Sequence, residues 1–384
     1  MFDPEKLGQL RDAIRERTAA DAGLLEGLRA EVRTLTPEVR KVQKRSTTAI
    51  SLVASDGGNN ALVFDPFSVQ LVRVVDSYGK ELALDAISPT SDTGKLSAAQ
   101  FNEDGSPKSA LGKMMRALGA AQLSDLSHMI PKPVGSGDQT PPSPSWVLVY
   151  RDMCEWAVLY DRICNHEFAT DTLIVRDGLL RSKIFRGTLF IRLKELIEAR
   201  IDEVSRTDRR KVYLVGVAKH TKVLTRYGLA MKIENVFPSG GACFVRMPRA
   251  MEAKAYVWQE YARGTETEGE GGEAPKFVIG DMYFVRFGEM GLDPVWAVDI
   301  LSSQSPAAQE VFGHLLSDAI DGFPVPFYPR CLQKAHEFAQ VVGFDVDILQ
   351  DEIFAAVKDL LPADKKDILE AARLQTDVSN LRYE

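Results

Sequence analysis

The sequence is poor in cysteine, carries no basic excess and contains no long apolar run. Cys154, Cys164, Cys243 and Cys331 form no C-x-x-C pair, and no Cys/His cluster has zinc-finger spacing. Scattered cysteines in a chain of this size point to buried thiols of a reducing compartment rather than a disulfide framework. No apolar stretch approaches the ~20 residues a membrane helix needs, and the opening Met1 to Asp12 has no apolar core of a signal peptide. The expected location is therefore cytoplasmic. A net charge of -7 argues against coating nucleic acid by bulk charge, but not against a local basic groove. No G-x-x-x-x-G-K-[ST] segment is present, so ATP hydrolysis by the P-loop route is excluded. No internal repeat is found.

What is present is the balance of a globular chain, 45% hydrophobic and 26% charged. Leu7, Leu10, Ile14, Leu24, Leu25, Leu28 and Val32 recur at helical spacing and predict one or two amphipathic helices in a 1–46 arm. From residue 47 the pattern changes. Residues 49–54, 61–64 and 68–75 read as strands, the first ending at Ser55-Asp56-Gly57-Gly58. Residues 109–129 read as a helix, 131–145 as a Pro/Gly/Ser-rich loop, and 146–166 as a helix. A strand over 171–176 stops at Asp177-Gly178, a helix covers 189–204, and a very apolar strand spans 211–218. Further strands are expected at 242–247, 277–287 and 294–301, interrupted by an acidic, Gly-rich loop at 264–275. Helices at 306–321 and 329–342 flank the turn Gly322-Phe323-Pro324-Val325-Pro326, and short helices close the chain. The reading is an α/β fold, with a 47–345 catalytic domain between the arm and a 346–384 helical extension.

The chemistry-bearing residues are two aspartates, each expected at the end of an apolar strand and followed by glycine. Asp56 and Asp177 would be held by the sheet yet exposed at its edge, with glycine permitting close approach. Converging carboxylates suit Mg²⁺ or Mn²⁺, although an Asp-Gly pair equally marks an ordinary turn. Glu155, flanked by Cys154, Trp156 and Ala157, is a glutamate on an apolar face, costly there unless paired or bound to metal. Asp152 and Asp161 compete for the same role. The order strand with Asp, meander, helix with Glu, strand with Asp, helix, strand is RNase H-like, a mixed sheet flanked by helices. In such sites paired metal ions activate a water and stabilise the leaving oxygen. Arg176, Arg181, Lys183, Arg186 and Arg192 follow the second Asp, and Lys219, His220, Lys222 and Arg226 follow the third strand. These cations offer phosphate contacts near the carboxylates. Tyr227, Phe237, Phe244 and Trp258 are aromatics able to stack bases or to fill a core.

Four segments in order resemble the NurA nuclease family. Ala54 to Gly58 is similar to its first Asp-Gly-Ser motif, and Val175-Arg176-Asp177-Gly178-Leu179-Leu180 to its second Asp-Gly motif. Leu214 to Thr221 resembles the strand ending in Lys-x-(Ser/Thr), and Gly322 to Pro326 with Ala335-His336 resembles the C-terminal Gly-(Tyr/Phe)-Pro-x-Pro and Ala-His segment. The matches span Asp56 to His336. The resemblance implies metal ligation by Asp56, Glu155, Asp177 and His336. It also implies a lysine, Lys219, balancing charge at the scissile phosphate. Among the clustered cations, Arg181, Lys183, Arg186, Lys219 and Lys222 are the expected DNA contacts. The implied activity is a Mn²⁺- or Mg²⁺-dependent deoxyribonuclease, single-strand endonuclease and 5′-to-3′ exonuclease. A homodimer docked on a HerA-type hexameric ATPase is implied as well, serving DNA end processing in repair or antiviral defence. Helices before residue 47 and after residue 345 are the expected dimer and motor contacts. Gly58 and Leu179 depart from the family's serines. Those departures alone support the alternative of a non-catalytic adaptor that binds DNA or a translocase.

Overall fold

The computed structural model describes residues 3–46, 50–64, 67–133, 145–256, 277–340 and 343–366. The strands are β1 (Arg40–Lys41), β2 (Ser51–Phe64), β3 (Phe67–Asp76), β4 (Glu81–Ile87), β5 (Thr172–Asp177), β6 (Val212–Ala218), β7 (Cys243–Arg246), β8 (Gly280–Arg286) and β9 (Val295–Leu301). They form one mixed sheet in the order β1-β7-β8-β9-β6-β5-β2-β3-β4. The β2/β5 and β5/β6 pairs are parallel, and the other pairs are antiparallel. A three-stranded meander continued by two parallel strands is the RNase H-like order, extended here by β9, β8, β7 and β1.

Period-two alternation explains why β5 and β6 sit at the centre. β6, Val-Tyr-Leu-Val-Gly-Val-Ala, is buried at every position, which a strand tolerates only when both faces are covered. Ile174 and Leu214 enter one core with Met114, Tyr150, Trp156, Phe190 and Leu193. Their neighbours Leu173, Val175, Val215 and Val217 enter the opposite core with Val311, Phe312, Leu332 and Ala335. The first face is covered by the helices Ala110–Leu118, Trp146–Cys164 and Leu189–Thr207, the second by Ala308–Ala319 and Arg330–Ala339. A third core lies over β7 and β8, where Val32 meets Tyr227, Val245 and Phe284.

Several elements differ from the sequence reading. The strands expected at 49–54 and 61–64 are one strand, β2, which runs unbroken through Gly57-Gly58 because β3 pairs with it along its length. The 109–129 helix is two, Ala110–Leu118 and Leu123–Leu126, the first ending at Gly119. In the arm, the helix Ala22–Arg33 packs on Lys222–Ile233, with Arg33 Nε 2.6 Å from Glu234 Oε2. β1 pairs with β7, so the sheet itself reaches into the arm. The helix Gly343–Leu360 crosses the expected boundary at 345/346. Most of the 131–145 loop, the 264–275 loop and residues beyond 366 lie outside the described residues. The four cysteines are free thiols, three of them buried, and no described helix is long and apolar enough to cross a membrane.

Arg181 is the largest correction among the expected DNA contacts. Its side chain has no exposed surface. The guanidinium makes a two-pronged bond to Asp299 on β9, both contacts at 2.8 Å, and reaches Glu252 Oε2 at 2.6 Å. Burying one guanidinium is tolerable because it faces two carboxylates in fork geometry. The ion trio fixes the chain that leaves β5 and so the position of Asp177 at the strand's end. Replacing Arg181 by leucine would leave buried Asp299 with only the Leu180 amide and buried Glu252 with only Arg249. Urea denaturation should then show a loss of about 3–5 kcal/mol, against about 0.5 kcal/mol or less for exposed Lys183→Ala; equal losses would contradict the assignment.

Candidate metal centre

The same alternation sorts the acidic residues by face. Asp56 lies within β2, opposite Val75 of β3, and one residue past the last parallel pair, Ser55 with Arg176. It is therefore not at a strand end, as the sequence suggested. Only its parallel neighbour ends there: Asp177 is the last residue of β5. Asp56 shares a face with Ala54, and Asp177 with Leu173 and Val175, all on the side covered by Arg330–Ala339. That helix supplies His336, whose Nδ1 stands 2.8 Å from Asp56 Oδ2. Ligand atoms of Asp56, Asp177 and His336 all lie within 4.8 Å of one another.

Two further side chains trim this cluster. The Tyr328 hydroxyl donates to Asp177 Oδ1 at 3.3 Å, and Lys219 Nζ lies 3.7 Å from Asp177 Oδ2 and 5.0 Å from the Tyr328 ring centroid. Burial pushes the Asp177 carboxyl up, the Asp56 charge adds to this, and Lys219 and Tyr328 oppose it. The Tyr328 hydroxyl is itself driven far above its usual range, chiefly by burial and then by Asp177, so it is a fixed donor. Nothing in the spacing of the sequence tied Tyr328 to Asp177; the link forms only when the segment after Pro326 folds over the end of β5.

Glu155 stands on the other face. The helix Trp146–Cys164 packs against that side of the sheet, and Glu155 lies over Gly57, where a Cβ would overlap its carboxylate. Glycine at 57 thus leaves room for the Glu155 carboxylate in this position. Burial pushes the Glu155 carboxyl up to about 8; Arg176 pulls it back, and Asp152 raises it further. Glu155 is not one of the three residues whose ligand atoms cluster within 4.8 Å. Of its rivals, Asp152 joins the same corner through Arg176, while Asp161 pairs with Lys113 at 2.7 Å and takes no part.

Gly58, where the sequence resemblance leads one to expect serine, has a packing cause. A Cβ there would overlap the carbonyl oxygen of Ala339, at the end of the helix that carries His336. At the second such position, the Leu179 carbonyl accepts from Arg176 Nη1 at 3.0 Å.

A cleft of about 920 Å³ opens over these groups, and Lys183, His220 and Lys222 also line it. Lys183 and Lys222 are exposed and free of the ion trio that claims Arg181. Arg186 is exposed but does not line the cleft. Tyr227, Phe237 and Phe244 are buried core residues and present no ring to a base. Trp258 lies outside the described residues.

No family model and no curated protein matches the chain. Among solved structures, the NurA nuclease from Sulfolobus solfataricus is similar over 94% of this chain and 99% of its own, at 14% identity and a TM-score of 0.40. A NurA structure with manganese matches over 91% of this chain and 99% of its own, at 11% identity and a TM-score of 0.41. One bound to dAMP and manganese matches over 87% and 94%, at 11% identity and a TM-score of 0.39. The chain resembles NurA nuclease structures along nearly their whole length, while the chemistry of its cleft follows from its own side chains.

Proposed function

We propose that the protein is a metal-dependent nuclease that hydrolyses DNA phosphodiester bonds in the cleft over Asp56, Asp177 and His336. One observation carries this reading: two carboxylates and an imidazole, drawn from two strands and a helix, present ligand atoms within 4.8 Å of one another. Two like charges held so close, with burial raising one of them, are a destabilising arrangement unless a cation sits between them. The donor set fits a divalent ion. Carboxylates suit Mg²⁺ or Mn²⁺, and an imidazole nitrogen favours the transition ion, Mn²⁺. A divalent ion held there supplies the Lewis acid that polarises a phosphoryl oxygen and lowers the pKa of a water nucleophile.

The chain's own residues do the rest. Lys219, beside Asp177, is placed to offset charge that develops on a phosphate at the cluster. Lys183 and Lys222 give the cleft the local cations that a chain of net charge -7 lacks in bulk, and His220 lines it beside them. Tyr328 fixes the Asp177 carboxylate by donating to Oδ1, while Oδ2 faces Lys219. The adaptor alternative loses ground because Gly58 is accounted for by the approach of Ala339, and three of the four expected ligands cluster.

The motif order extends the proposal to single-strand endonuclease and 5′-to-3′ exonuclease activity. It extends also to a homodimer working with a HerA-type hexameric ATPase in end processing or antiviral defence. The absence of a P-loop is consistent with a motor supplied by a partner.

Purified protein with Mn²⁺ should cut end-labelled single-stranded DNA, and Asp56→Asn and Asp177→Asn should each lower the rate by about 100-fold or more. Intact DNA with wild type, both alone and with its ATPase, refutes the enzyme; undiminished cutting by the variants refutes the site. In thermal melts, Mn²⁺ at about 100 times its Kd stabilises by about 2.7 kcal/mol, a rise of several degrees that EDTA reverses. The double variant Asp56→Asn/Asp177→Asn should show no rise, and a metal-insensitive wild type would contradict the metal centre. Affinity purification of the tagged protein from its own cells should retain an ATPase; recovery of none counts against the motor.

A further inference from the structure

The acidic floor of the cleft is larger than the metal cluster. Asp152 and Glu155 stand one turn apart on the helix Trp146–Cys164, bringing the acidic residues of the lining to four with Asp56 and Asp177. On carboxylate count alone this is a site for two divalent ions, as RNase H-like folds commonly use. The side chains divide it differently.

Arg176 precedes Asp177 on β5, so its side chain leaves the opposite face of the sheet. That face is the one packed by the helix carrying Glu155. Arg176 Nη2 lies 2.7 Å from Asp152 Oδ1 and 3.1 Å from Glu155 Oε2. Only 10% of the arginine side chain is exposed. Its position is fixed by more than charge: Nη1 donates to the Leu179 carbonyl, and the guanidinium carbon sits 4.7 Å from the Trp156 ring centroid. The second Glu155 oxygen faces Arg151 Nε at 3.3 Å, and the second Asp152 oxygen accepts from the Ser182 hydroxyl at 3.3 Å. Each oxygen of these two carboxylates therefore has a polar neighbour within the chain. Asp152 and Glu155 are thus engaged by guanidinium groups, whereas Asp56 and Asp177, with Lys219 to one side, keep ligand atoms within 4.8 Å of one another and of His336.

We propose that Arg176 is a built-in cation in the place of a second metal ion, so that the site takes one divalent ion, on Asp56, Asp177 and His336, with Glu155 held by arginine instead of ligating. The proposal rests on the metal-dependent nuclease reading and sharpens it. Arg176 is a positioning residue: it keeps Asp152 and Glu155 engaged on one face, while Gly57 lets Glu155 lie against the backbone of the strand that bears Asp56. It cannot be exchanged freely for lysine, since the planar fork serves Asp152, Glu155 and the Leu179 carbonyl at once.

Manganese binding followed by electron paramagnetic resonance, in which bound Mn²⁺ is lost from the free-ion signal, tests this without reference to activity. Wild type should bind one ion per chain. Glu155→Gln should bind one ion with affinity within about threefold of wild type, and Asp177→Asn should lose at least about tenfold. Arg176→Gln, which frees two carboxylates, should bind a second ion. Two ions in wild type, or a tenfold loss in Glu155→Gln, would overturn the proposal, as would a count that stays at one in Arg176→Gln. If Arg176→Gln does not fold, the wild-type count and Glu155→Gln decide. Two ions together with cleaved DNA would overturn only the count, whereas no bound ion and no cleavage would overturn the nuclease reading itself.

Discussion

The parallel pairing of β2 with β5 places Asp56 and Asp177 side by side on one face, and that juxtaposition of like charges sets the terms for everything around it. β2 continues past the point where β5 stops, so the two carboxylates meet at a step in the sheet, open above and backed by buried strands. Their repulsion is contained by neighbours that each come from a different part of the chain. His336 faces Asp56, while Tyr328 and Lys219 face Asp177. The fold brings these together because the helix Arg330–Ala339 crosses β2 closely enough that glycine is required at position 58. Local packing and site chemistry are one constraint here: Gly58, beside the acidic pair, is the residue that admits the histidine helix.

On the other face the charges are internal. Arg176 and Arg151 absorb Asp152 and Glu155, and, deeper still, Arg181 absorbs Asp299 and Glu252. Desolvated carboxylates of this kind are costly alone and stable when paired in fork geometry. The two arginines on either side of Asp177-Gly178-Leu179-Leu180 therefore clamp the turn that ends β5. Basic residues near an acidic site have two fates, and burial separates them. Arg176 and Arg181 are spent on the protein's own acids, whereas Lys183 and Lys222 line the cleft with exposed ammonium groups.

Much of the fold was legible in the sequence because β5 and β6 are apolar runs of strand length, and because the helices around them keep a clean amphipathic period. Asp177 at the end of β5 was readable from Asp-Gly after such a run. Asp56 was harder: Gly57-Gly58 reads as a turn, and only the long antiparallel partner β3 keeps the chain extended through it. Glu155 was found by its apolar neighbours, but which face it occupies depends on helix placement that no local pattern specifies. Tyr328 and the Arg176 pairing were hidden for the same reason, since both depend on contacts across more than 20 residues of sequence. Counting arginines as phosphate contacts failed for Arg181 because sequence shows charge without showing burial.

The central claim is that Asp56, Asp177 and His336 form one metal centre at the step between β2 and β5. Diffraction from crystals grown with Mn²⁺, recorded at the manganese absorption edge, tests it most directly. The account predicts an anomalous peak at about 2.0–2.6 Å from a carboxylate oxygen of each aspartate and from a ring nitrogen of His336. A cleft with no anomalous peak, or a peak held by Glu155 and Asp152 on the opposite face, would contradict it.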